Sequence, residues 1–263
     1  MSGDAVRVER IGGIARLVVD RPEAHNALAP ATMTALATAI ERIRATTDVR
    51  AVVLAGGGGR FLSGGDLRAL SAVRTREPAV QMAITMQRAL QALADLPVPV
   101  IAAVDRFAYG GGAEVALACD LRVLSHDAII CFRHGDFGVT TAWGGARRLA
   151  ALVGRSRALH MLWTSAEIPA AEALRIGLCD VVAAPDSSAL EEAMSLAAQL
   201  AERAPAMLRA TKQLLSEPTD VAHERLEASL FAETWASADH WDRVDAFWAR
   251  RRAAAPAPPA PPA

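Results

Sequence analysis

Up to Asp186, short apolar runs alternate with helical stripes; from Ser187 onward only the helical spacing remains. Residues 6–9 and 14–19 flank Ile11-Gly12-Gly13, which predicts a β-hairpin. Residues 51–54 and 99–104 are almost wholly apolar, as in buried strands, and 121–124, 128–132 and 178–182 also read as strands. Met33, Leu36, Ile40 and Ile43 share one face of a helix running from Pro30 to about Thr46. Met82, Met86, Leu90 and Leu93 mark a second helix at 77–95, its methionines read as core filler. Shorter helices are expected at 113–118 and 146–153, from Gly154-Arg155-Ser156 onward, and at 169–174 with Pro169 in the first turn. Strands interleaved with helices place the chain in the α/β class, and helices at 190–204, 205–216, 221–236 and 240–252 form an appendage. Its Leu226, Leu230, Phe231, Trp235, Phe247 and Trp248 must pack on the chain's own core or on another subunit. The expected division is a core at 1–190, a helical region at 191–252 and a disordered Ala/Pro tail at 253–263.

Composition narrows the class without naming a chemistry. With 52% hydrophobic and 22% charged residues among 263, the chain reads as a soluble globular protein. A net charge of −1 gives no global field toward nucleic acid or membrane. Cys119, Cys131 and Cys179 lack zinc-like or disulfide spacing and read as buried free thiols in a reducing compartment. No signal peptide or membrane span is visible, so a cytoplasmic location is expected.

Two glycine-rich bends follow apolar strands. The first runs from Gly56 to Gly59 and on through Ser63-Gly64-Gly65-Asp66-Leu67; it is neither a P-loop nor the dinucleotide fingerprint. The second, Gly110-Gly111-Gly112, opens a helix whose free N–H groups and dipole suit an oxygen that gains charge. The pair reads either as two backbone donors aimed at one point or as two tight turns. Glu114 lies one turn beyond Gly111 in an apolar helix, where a charge needs partners.

Taken in order, these pieces resemble the crotonase superfamily, the enoyl-CoA hydratase/isomerase fold. The landmarks are Arg21-Pro22 with Asn26-Ala27-Leu28, Phe61-Leu62-Ser63-Gly64-Gly65-Asp66-Leu67, Ala108-Tyr109-Gly110-Gly111-Gly112-Ala113-Glu114, Cys119-Asp120, Gly144-Gly145 with Arg148-Leu149, and 173–178. The resemblance runs from Ala5 to about Arg251. It implies a crotonase-like ββα spiral core with a C-terminal helical oligomerisation region, assembled as a trimer or a dimer of trimers. It implies an acyl-CoA thioester as substrate, with no metal or redox cofactor and CoA present only as part of that substrate. The N–H groups of Ser63 and Gly111 would hold the thioester oxygen. Ser63, Gly64, Gly65, Asp66 and Leu67 would follow the CoA moiety, and Ala27 in its loop would flank the same channel.

The pattern breaks at one place. Hydratases of this family hold a water with two glutamates; the first matches Glu114, but the second aligns with His134. His134 could replace it, since imidazole gives or takes a proton near neutral pH, and Asp136 could orient the ring or act itself. Both also read as plain loop residues. A carboxylate position used by some isomerases and dehalogenases aligns with Ala142. The expectation is an enoyl-CoA hydratase-like lyase working at the α,β positions, with Glu114 as main acid/base. Isomerisation, decarboxylation, hydrolysis, an auxiliary dehydration in specialised biosynthesis and non-catalytic acyl-CoA binding stay open. Tyr109 and Trp143 would shape the pocket, His25 would lie beside the channel, and His126, His160, His223 and His240 read as structural or exposed.

Overall fold

The computed structural model describes residues 5–215 and 221–253. The Ala/Pro tail beyond Ala253, Ser216 at the expected end of a helix, and the side chains of His223, Leu226 and Leu230 lie outside the described residues. β1 (Val6–Ile11) and β2 (Ile14–Val19) form the hairpin, with Val6 opposite Val19. β2 then pairs in parallel with β3 (Ala51–Gly56), and β3 with β4 (Val100–Val104). Parallel neighbours need crossovers, supplied by α1 (Pro30–Arg44) and α2 (Arg76–Ala94). Pro30 at the first position of α1 has its backbone angle preset for a helix and lacks only an N–H that would go unpaired there.

β5 (Phe107–Tyr109), α3 (Gly111–Leu117), β6 (Leu121–Leu124) and β7 (Ile129–Cys131) follow. α4 (Gly145–Val153), α5 (Arg155–Thr164), β8 (Ile168–Pro169), α6 (Ala170–Arg175) and β9 (Val181–Val182) complete the core. β6 and β9 extend the main sheet to six strands, while β5, β7 and β8 form a second sheet of three. On one face of the main sheet Leu17, Leu54 and Ala102 meet Leu36, Ile40 and Leu90 in the larger core. On the other, Val53, Ile101 and Ala103 lie under Ala189, Ala193 and Ala197 of α7 (Ala189–Ala201). A division at residue 190 therefore falls inside α7, whose first turn already covers the sheet.

α8 (Pro205–Leu215) is tied down by Lys212, whose Nζ donates to Asp120 Oδ2 at 2.6 Å and to the Val98 carbonyl at 3.1 Å. α9 (Val221–Trp235) packs along α2, and α10 (Ala238–Ala253) turns back toward the loop after β7. Phe231 and Trp235 are buried against this chain's own core.

Local readings differ where partners override sequence. β5 was not expected; three residues suffice because β7 fixes them from Phe107↔Ile129 to Tyr109↔Cys131. Pro169 is not in a helix: it pairs with Ile129 and caps α6. β9 is two residues because the N–H groups of Leu178 and Cys179 both turn to the Ala173 carbonyl. The cysteines are free and buried, and burial pushes the Cys119 thiol up to about 12 and those of Cys131 and Cys179 to about 11, so none is a nucleophile at neutral pH.

Candidate active site

The two glycine bends meet. A Cβ on Gly64 would lie 3.0 Å from the nitrogen of Gly111. Gly111 opens α3, and the face a side chain would occupy is filled by the Trp143 ring, whose atoms would stand 2.2–2.8 Å from a Cβ there. Next to Gly64, Leu28 N–H donates to the Gly64 carbonyl at 2.7 Å and Asp66 N–H to the Leu28 carbonyl at 3.0 Å. In such a parallel bridge the intervening residue directs its own N–H the opposite way. That residue is Gly65; its N–H has no partner among the described residues, and it lines the same cavity as Gly111.

Ser63 lines the cavity too, but its N–H donates to the His25 carbonyl at 3.2 Å. The Ser63 N–H of the expected Ser63/Gly111 pair is thus engaged within the protein, while the main-chain N–H groups of Gly65 and Gly111, both at the cavity, have no partner among the described residues.

Sequence reasoning marked Asn26 only as a landmark and missed that it holds this loop. Asn26 is fully buried at φ 56°, a left-handed conformation that asparagine tolerates better than most residues. Its Nδ2 donates to the carbonyls of Gly57, Arg60 and Phe61, each at 2.9 Å, and its Oδ1 accepts from Arg21 N–H at 2.8 Å. Arg21 donates to the Ala27 carbonyl at 2.7 Å and pairs with Asp66 at 3.1 Å. Ala27 and Asp66 therefore brace the loops beside the cavity and do not form its wall, whereas Leu67 does line it.

Glu114 is 1% exposed and is surrounded by three main-chain donors and an imidazole. Its Oε2 accepts from Trp143 N–H at 2.8 Å and Gly145 N–H at 2.9 Å. Its Oε1 accepts from Ala142 N–H at 3.4 Å and lies 3.1 Å from His134 Nε2. The Gly144-Gly145 pair now has its reason: Gly144 takes φ 88°, and a Cβ on Gly145 would stand 2.5 Å from Glu114 Cγ. His134 lines the cavity, and its Nδ1 is buried without a partner.

Asp136 does not join them. It forms a 3.5 Å ion pair with Arg133, and its side chain is 45% exposed. Asp136→Ala is expected to leave turnover of any accepted acyl-CoA within about twofold, because the side chain is exposed and lines no part of the cavity and such a surface change leaves the fold intact. A tenfold loss in a rate assay would return Asp136 to the catalytic set.

The cavity measures about 100 Å³. Met82 belongs to its wall and is not simply core filler. His240, fully buried, lines it as well, together with Phe231 and Trp235. No sequence pattern linked these C-terminal residues to the glycine bends; the density of aromatics in the last two helices was the only signal. Among the described residues no group of three or more His, Cys, Asp or Glu could hold a metal, and no helix is long and apolar enough to cross a membrane.

Comparison with known proteins identifies the family. The family model for enoyl-CoA hydratase/isomerase matches residues 9–254. The chain is 33% identical over 251 residues to the short-chain-enoyl-CoA hydratase of Clostridium acetobutylicum, covering 94% of this chain and 95% of that one. It is 34% identical over 203 residues to the ethylmalonyl-CoA decarboxylase of Rattus norvegicus, covering 76% and 68%. Among solved structures, a carnitinyl-CoA hydratase from Mycobacterium avium superposes with a TM-score of 0.83 at 30% identity, covering 95% of this chain and 97% of the other. The chain belongs to the enoyl-CoA hydratase/isomerase family, within the crotonase superfamily.

Proposed function

We propose that the protein is a lyase of acyl-CoA thioesters, and that its reaction is loss of CO2 from a malonyl-type thioester through an enolate. The saturation of Glu114 carries this reading. A carboxylate offers about four lone-pair sites. Glu114 already faces three main-chain N–H groups and His134. A hydratase carboxylate must keep a site for the reacting water.

Decarboxylation needs no such water. The bond to the departing carboxylate breaks, its electrons pass to the thioester oxygen, and the N–H groups of Gly65 and Gly111 receive the enolate charge. The α-carbon then takes a proton. His134 is placed to give it, because its ring lines the cavity and is oriented by the buried Glu114 carboxylate, as a histidine is in catalytic triads. The proton would leave from Nδ1, the ring nitrogen without a partner, and solvent would restore it. This makes Glu114 a positioning residue. The similarity to ethylmalonyl-CoA decarboxylases supports the reading, at 34% identity for rat and 32% for mouse. It calls for no cofactor beyond the CoA of the substrate. The trimer or dimer of trimers, and a cytoplasmic location, remain part of the proposal.

Hydration is the second reading. It is supported by the Clostridium hydratase and by the long 3.4 Å contact of Ala142 N–H, which a water could displace. Mass spectrometry separates the two. Methylmalonyl-CoA and ethylmalonyl-CoA are expected to lose CO2, while crotonyl-CoA in isotopically heavy water gains no label. Label uptake without CO2 loss would reject decarboxylation in favour of hydration; tight CoA binding without turnover of any substrate would reject both.

A further inference from the structure

We infer that the corner between α9 and α10 is a fixed ceiling on the acyl pocket, and that Trp235 and Phe231 limit the enzyme to acyl chains of about four carbons. This rests on the acyl-CoA reading of the same cavity.

Size comes first. An apolar cavity of roughly 150 Å³ takes one benzene ring of six carbons. The cavity here is about 100 Å³ and must also admit the thioester oxygen near Gly65 and Gly111, so a short chain fills it.

Anchoring makes the limit rigid. Trp235 and Phe231 line the cavity with ring centroids 5.1 Å apart. Trp235 Nε1–H donates to the Val73 carbonyl, which ties the corner to the segment between the first glycine bend and α2. The ring is held from behind by His240 at 4.6 Å and Trp241 at 5.4 Å. His240 Nδ1 donates to the Phe137 carbonyl at 2.8 Å, and Phe247 packs edge-on against the Phe137 ring at 5.4 Å, which ties the same corner to the loop carrying His134. Arg74 stacks over Trp241 at 4.2 Å. The corner is thus fastened on both rims. Lengthening the pocket would break a buried indole hydrogen bond together with this aromatic packing.

The test measures binding of butyryl-, hexanoyl- and octanoyl-CoA by calorimetry to the full chain, to Trp235→Ala and to the milder Phe231→Leu, with circular dichroism confirming the fold. Wild type is expected to bind octanoyl-CoA at least tenfold more weakly than butyryl-CoA. Either folded variant is expected to recover at least fivefold of that loss. Equal affinities across the series in wild type, or an unchanged profile in a folded Phe231→Leu, would overturn the ceiling and leave the acyl-CoA reading standing. Failure of every thioester and of free CoA to bind would overturn both.

Discussion

Glu114→Gln is expected to fold and to lose about a hundred- to ten-thousand-fold of turnover, the range that a positioned proton carrier supplies. The geometry allows the amide one comfortable orientation. If its NH2 took the place of Oε2, it would face the N–H groups of Trp143 and Gly145, donors now at 2.8 and 2.9 Å. Donor against donor at that distance leaves buried groups unpaired, at about 1–3 kcal/mol each. The NH2 must therefore take the place of Oε1, where it displaces only the long 3.4 Å contact of Ala142 N–H and where His134 Nε2 can accept from it by changing tautomer. The variant keeps its loop, but the histidine loses the carboxylate that fixes its orientation. Glu114→Ala is expected to be worse for folding, since all three main-chain donors lose their acceptor in a site that is 1% exposed. Thermal unfolding and mass-spectrometric turnover read the two effects separately. A folded glutamine variant with wild-type turnover would show that the charge on Glu114 does no work.

What the sequence made legible follows from how local each cause is. Apolar runs such as 51–54 and 100–104 sit in buried strands because their own composition demands burial on both faces. Glu114 stood out because a charge inside an apolar helix needs partners, and its four partners are present. The donor pair was half legible. Two glycine bends predict free N–H groups, but which N–H of Ser63-Gly64-Gly65 is free depends on Leu28 and His25, which reach the bend from an earlier loop. The ceiling was illegible for the same reason: Phe231 and Trp235 follow a helical spacing that says only that they are buried, not against what. Asp136 misled because it stands only two positions after His134, while the turn there sends it out to Arg133.

Gly65→Pro is expected to cut turnover by about a hundred- to a thousandfold, the cost of deleting one donor from an oxyanion hole. Proline removes the N–H and also fixes its own φ at about −65° and crowds the preceding Gly64, at φ 98°, so circular dichroism and thermal unfolding are read beside turnover. The bridge that holds the bend uses the Gly64 carbonyl and the Asp66 N–H, neither of which belongs to residue 65. A side chain at this position meets only the Leu70 Cδ1 tip at 3.0 Å, the movable end of a leucine. Gly65→Ala, which keeps the donor and adds the same first carbon, is the matched control and is expected to stay within about threefold, because its Cβ asks only the tip of Leu70 to give by a few tenths of an ångström. Because the interaction strengthens only as charge reaches the thioester oxygen, kcat and kcat/KM should fall together while KM moves little. The same pair of variants decides between Gly65 and Ser63. If a folded Gly65→Pro turns over like Gly65→Ala, the second donor is Ser63, and its N–H must leave the His25 carbonyl, 3.2 Å away, when substrate binds.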